Sequence, residues 1–71
     1  MELLILKTNI NTSDDFNSMK VNLINLYQIN DCTIDLEDSD RVVRVIGNNL
    51  RKEEIINGMN RWGYECEELP D

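Results

Sequence analysis

Apolar and polar positions change period several times along the chain. Leu3 to Thr8 is a continuous apolar run closing on polar residues, with the length of a strand. From Asp14 the spacing becomes helical. Phe16, Met19, Leu23 and Leu26 recur at intervals of three, four and three and predict one helix face running to about Tyr27, with Val21 and Ile24 widening it or left partly exposed. Cys32 to Leu36 alternates with a period of two, and so does Val43-Arg44-Val45 after the acidic turn Glu37-Asp38-Ser39-Asp40, which reads as an antiparallel hairpin. Gly47-Asn48-Asn49 breaks the second strand, and Asn49 is placed to cap a helix whose apolar face is Ile55, Ile56, Met59 and Trp62. Gly63 suits a left-handed C-terminal cap, Tyr64 its hydrophobic contact. Tyr64 to Glu67 alternates as a last strand before Pro70 stops regular structure.

The order is strand, helix, strand, strand, helix, strand. Two such halves predict an α+β, ferredoxin-like βαββαβ sandwich: a four-stranded antiparallel sheet in the order 4-1-3-2 with both helices on one face. The 71 residues make one expected domain, residues 1–71. In that topology Cys32 and Cys66 lie on opposite edge strands, three spacings of roughly 4.8 Å apart and beyond the limit of about 7 Å between bridged Cα atoms. A disulfide is therefore not expected.

Charge narrows the function. Fourteen acidic against seven basic residues give a net charge of −7, which repels phosphate backbones and anionic lipid. Nucleic acid and membrane are not expected partners, and no aromatic and basic interleaving supplies a stacking surface. The apolar N-terminal run is too short for a signal peptide or a membrane span, so a cytoplasmic location is the default. With no histidine and two cysteines far apart, neither a zinc site nor a base-activated nucleophile can be assembled, and no enzyme or cofactor is expected.

At the start of the first helix, Thr12 or Ser13 can accept a bond from an unpaired amide, and Asp14 and Asp15 place negative charge in the first turn. The same two carboxylates are the only loop groups suited to a hard divalent ion, although the positive helix end opposes a cation there. The acidic hairpin turn lacks the glycine and terminal glutamate of a calcium loop. Cys32 and Cys66 read as inward-facing small hydrophobes. Trp62 and Tyr64 stand beside the first loop, where they line a pocket or serve as core and cap.

Several segments together resemble one known family: Ile10-x-Thr12-x-x-Asp15, Gln28-Ile29-x-x-Cys32-x-Ile34-Asp35-Leu36, Val43-x-Val45-x-Gly47, Glu53-Glu54-Ile55-Ile56 and Trp62-Gly63-Tyr64. The pattern is similar to the heavy-metal-associated domain of copper chaperones and metal-transporting ATPases over nearly the whole chain. The resemblance implies that Ile10 stands at the family's apolar position before its Cys-x-x-Cys pair, and that Thr12 and Asp15 stand where its thiolate ligands are. A hydroxyl and a carboxylate do not suit a soft ion such as Cu(I). The resemblance thus implies the fold, while thiolate metal binding is not expected.

The open sheet face remains. If Leu4, Leu6, Val43 and Val45 face the helices, then Leu3, Ile5, Lys7, Val42, Arg44 and Ile46 fall on the other side, with Lys7 and Arg44 expected to pair with edge carboxylates among Asp31, Asp35, Glu65 and Glu67. These six residues are the interface candidates. The expected function is a non-catalytic protein-interaction or self-association module. The alternative is a metal-binding or transport accessory domain using oxygen ligands at Asp14 and Asp15, and a third reading, small-molecule regulatory binding, has no glycine-rich loop behind it.

Overall fold

The first strand carries two kinds of surface because its apolar run serves both sheet faces. In the computed structural model, which describes residues 1–27 and 29–69, β1 spans Glu2–Thr8. Leu4 and Leu6 are buried beneath the helices, while Leu3 is about half exposed on the other side. The remaining elements are α1 (Ser13–Tyr27), β2 (Asp31–Asp35), β3 (Val42–Gly47), α2 (Lys52–Arg61) and β4 (Cys66–Glu68). The sheet order is β2-β3-β1-β4, which read from the other edge is the expected 4-1-3-2, and all three pairings are antiparallel.

The core lies between the sheet and the two helices. Leu4, Leu6, Val43, Val45 and Cys32 from the strands meet Phe16, Met19 and Leu23 of α1 and Ile55 and Met59 of α2, with Ile10 and Ile29 closing it from the connections. Leu26 departs from the expected helix stripe and is 62% exposed. Tyr27 packs against the core instead, because its hydroxyl donates to the Glu54 carbonyl at 3.1 Å and its ring lies over Gly58. A Cβ at residue 58 would stand 2.6 Å from the Tyr27 hydroxyl oxygen, so α2 approaches α1 through a glycine.

The ends of α2 depart from expectation at one side and match it at the other. Asn49 does not cap the helix: it sits at φ 56°, and Arg51 occupies the cap position without a side-chain bond. Gly63, at φ 96°, ends the helix as expected, with the Gly63 amide donating to the Asn60 carbonyl and the Tyr64 amide to that of Met59. Those two bonds form a Schellman cap. Tyr64 and Glu65 belong to the connection rather than to β4, since the cap occupies Tyr64 and the pairing with β1 begins at Thr8 opposite Cys66. The hairpin strands also shift: β2 begins at Asp31 and leaves Leu36 in the turn, and β3 runs on to Gly47. Pro70 lies outside the described residues.

Candidate functional site

The connection between β1 and α1 is held at every step by its own polar groups. Thr8 is buried, its hydroxyl donating to the Arg41 carbonyl at 2.7 Å and accepting the Ile10 amide at 3.3 Å. Asn9 is tied to the approach of β4, its amide donating to the Glu65 carbonyl and its side-chain oxygen accepting the Glu65 amide at 3.0 Å. Ile10 then drops into the core. The Thr12 hydroxyl accepts the Asp15 amide at 3.1 Å, and the Phe16 amide reaches the Thr12 carbonyl. Thr12 is therefore the N-cap of α1, with Asp14 and Asp15 exposed in the first turn. From the C-terminal side, the Tyr64 hydroxyl donates to the Asp15 carbonyl at 3.4 Å.

No sulfur reaches this loop from its own sequence. Cys32 is buried on β2 and Cys66 is half-buried on β4, both as free thiols. Burial pushes the Cys32 thiol up to about 12 and the Cys66 thiol upward as well. The Cys66 thiol donates to the Ile56 carbonyl at 3.7 Å. Among the described residues no cluster of three or more carboxylate, cysteine or histidine side chains is arranged to hold a metal ion. Clefts among the described residues flank the fold. One, of about 580 Å³, is lined by Tyr27, Asn30, Asn48, Asn49, Arg51 and Glu54, and another, of about 200 Å³, by residues of β1 and β4 around Cys66. Neither is lined by Trp62 or Tyr64, which pack against the core and serve the helix cap and the contact with α1, the second of the two roles open to them from sequence.

The open sheet face gathers the six residues picked from the pattern. Register places Leu3 opposite Ile46 and Ile5 opposite Arg44 in the two central strands. On the outer strands Asp31, Thr33 and Asp35 oppose Ile46, Arg44 and Val42, and Glu67 opposes Lys7. Leu3 is 47% exposed, Ile5 and Ile46 are half-buried, and Arg44 and Lys7 are exposed. Val42 is only 7% exposed, standing at the start of β3 directly after the hairpin turn. Lys7 pairs with Asp40 of that turn at 3.6 Å rather than with an edge strand, and Arg44 makes no ion pair among the described residues. Both expected edge pairings are thus absent among the described residues, and for Lys7 the reason is the turn, which folds Asp40 back to β1, where its carbonyl also accepts the Thr8 amide.

Sequence reasoning missed Leu69. Its amide donates to the Ile5 carbonyl at 2.8 Å and extends the β4 register beside Ile5, on the face that Glu67 and Lys7 share. Alternation from Glu67 would have placed it there had the last strand been set two residues later. Asp31 holds its own strand instead of the open face alone: it accepts the Cys32 amide and pairs with Lys20 at 3.4 Å, and those bonds hold its carboxyl below the usual range.

No protein-family model matches this chain, and no curated protein matches it in sequence. One solved structure matches it end to end: the yeast copper transporter domain Ccc2a, described in apo and Cu(I)-loaded states, with 23% identity, a TM-score of 0.84, and coverage of 100% of this chain and 99% of that one. The chain shares the fold of that domain, a ferredoxin-like βαββαβ sandwich.

Proposed function

We propose that this chain is a non-catalytic interaction module on a heavy-metal-associated fold, engaging a protein through its open sheet face. The observation carrying this reading is the state of the β1–α1 loop. Thr12 spends its hydroxyl on the Asp15 amide, as a helix cap does, and Asp15 contributes that amide and a first-turn charge. The neighbouring fold is described as a Cu(I)-loaded copper transporter domain. Cu(I) favours thiolate sulfur, and here the loop offers a hydroxyl and carboxylates while both thiols carry raised pKa values. The residues present do not fit that ion.

The open face supports the positive half of the reading. Leu3, Ile5, Ile46 and Leu69 form a connected aliphatic strip across adjacent strands, and such strips mark interaction surfaces. No helix among the described residues is long and apolar enough to cross a membrane. The oxygen-ligand alternative at Asp14 and Asp15 has the fold likeness behind it and no ligand geometry.

Native mass spectrometry of the protein purified from its source cell tests the proposal, paired with a Leu3→Asp variant. A metal-free complex or oligomer that the variant loses is the expected result. A metal-loaded monomer, unchanged by the variant, overturns it.

A further inference from the structure

We infer that the partner on the open sheet face is a protein surface that brings one carboxylate to Arg44 at the centre of an apolar contact and basic residues to its margins. The inference rests on the reading of that face as an interface. Arg44 is fenced on its own strand by Val42 and Ile46, and across the ladder by Ile5 on one side and Thr33 on the other. No counter-charge reaches it among the described residues, although acids outnumber bases two to one.

The other cations are accounted for. Lys7, Lys20, Arg51 and Lys52 are ion-paired, and the Arg41 guanidinium donates to the Leu36 carbonyl. Arg61 closes the last turn of α2, where the helix dipole favours a cation. Among the described residues, Arg44 alone combines a central position in the sheet with aliphatic neighbours and no paired anion.

That combination selects the occupant. Anything that covers Leu3, Ile5 and Ile46 also strips water from the guanidinium, and an unpaired desolvated charge offsets the gain from the aliphatic contacts. A purely apolar surface is therefore a poor occupant. A carboxylate placed over Arg44 turns the same desolvation into a bidentate pair. At the margins the signs invert: Asp35 borders the face on β2 and Glu67 on β4, while the Asp31 carboxylate is taken up by Lys20 of α1. With a chain charge of −7, these carboxylates favour basic residues around the central acid. A second copy fits less well, since it carries the same net charge and presents another arginine at its centre.

The test uses the intact chain and two synthetic amphipathic helical peptides. Each has a leucine face with lysines at its margins; one has a central glutamate and the other a central glutamine. The glutamate peptide should shift the backbone amides of β1 and β3 and bind roughly tenfold tighter than the glutamine peptide. Arg44→Gln should remove that difference, and Arg44→Glu should transfer the preference to a peptide with a central arginine, with circular dichroism confirming both folds. Equal binding of the two peptides at this face overturns the carboxylate requirement and leaves the interface reading standing. Absence of any shift on β1 and β3 overturns both. Sedimentation showing a dimer that excludes the peptides from this face overturns the inference in favour of a second copy.

Discussion

Replacing Thr12 with alanine separates a helix cap from a metal ligand by size of effect. The Thr12 hydroxyl accepts the Asp15 amide at 3.1 Å on the exposed first turn of α1. Removing such a cap costs about 1 kcal/mol, within a range of about 0.5–2 kcal/mol. For a domain of this size, 1 kcal/mol corresponds to a fall in Tm of roughly 4–8 °C. Thr12→Ser keeps the acceptor and should stay within a few tenths of a kcal/mol of the parent, because serine and threonine cap comparably. None of these numbers should change with divalent ions or a chelator. If Thr12 and Asp15 were ligands, saturating metal at a hundredfold excess over Kd would add about 2.7 kcal/mol to the parent, and Thr12→Ala would forfeit most of it. Urea denaturation of the parent, Thr12→Ala and Thr12→Ser, each with metal and with chelator, distinguishes the two outcomes. A metal-dependent rise in parent stability that disappears in the alanine variant refutes the cap assignment.

Other contacts give sharper local tests. Gly58→Ala in a Tyr27→Phe background should stabilise by about 0.8–1 kcal/mol from helix propensity alone, since the atom 2.6 Å from the new Cβ is the tyrosine hydroxyl and the ring carbon beyond it stands at 3.4 Å. In the parent background that gain should be largely cancelled by displacement of the hydroxyl from the Glu54 carbonyl, and equal effects in both backgrounds by urea denaturation would contradict the packing described. The Cys32 thiol is neutral when folded, with its pKa pushed up to about 12, so its contribution is complete below the unfolded value near 9 and declines between about pH 9 and 12, by at most about 1.4 kcal/mol per pH unit. Cys32→Ala should flatten that alkaline decline in a pH series of denaturation curves, and iodoacetamide near neutral pH should label Cys66 well before Cys32. Asp31 has a depressed carboxyl pKa from the Cys32 amide and Lys20, so its contribution is present above the ordinary carboxylate range and is lost as pH falls through the folded value; Asp31→Asn should flatten the acid limb of the same curves.

Local rules carried the fold a long way because the core positions obey them without competition. Leu4, Leu6, Val43 and Val45 alternate on strands, Phe16, Met19 and Leu23 repeat on a helix, and each set is buried as its period requires. Gly63 was legible for the same reason, since its left-handed conformation is a backbone need that few residues meet. What failed depended on contacts distant in sequence. Leu26 and Tyr27 lie at comparable angles from the centre of the α1 stripe, and the gap above Gly58, thirty-one positions after Tyr27, decided between them. Asn49 has cap chemistry, yet its φ of 56° belongs to the turn leaving β3, and the cap position falls two residues later at Arg51.

The candidate site divides along the same line. The cap at Thr12 is a three-residue interaction and was readable directly, whereas the charge state of the open face was not. Pairing Lys7 with an edge carboxylate was a sound expectation from strand geometry, but a hairpin turn brought Asp40 into reach first. This removes a cation from the edge chemistry and leaves Glu67, opposite Lys7, without its expected partner. The consequence for Arg44 is stronger. It stands on β3 with Ile5 and Thr33 as its direct neighbours across the ladder, and it makes no ion pair among the described residues. A sheet face that neutralises one cation through its own turn and leaves the other bare is asymmetric in charge along β1 and β3. That asymmetry gives an incoming carboxylate one preferred location, and so fixes the register of whatever docks.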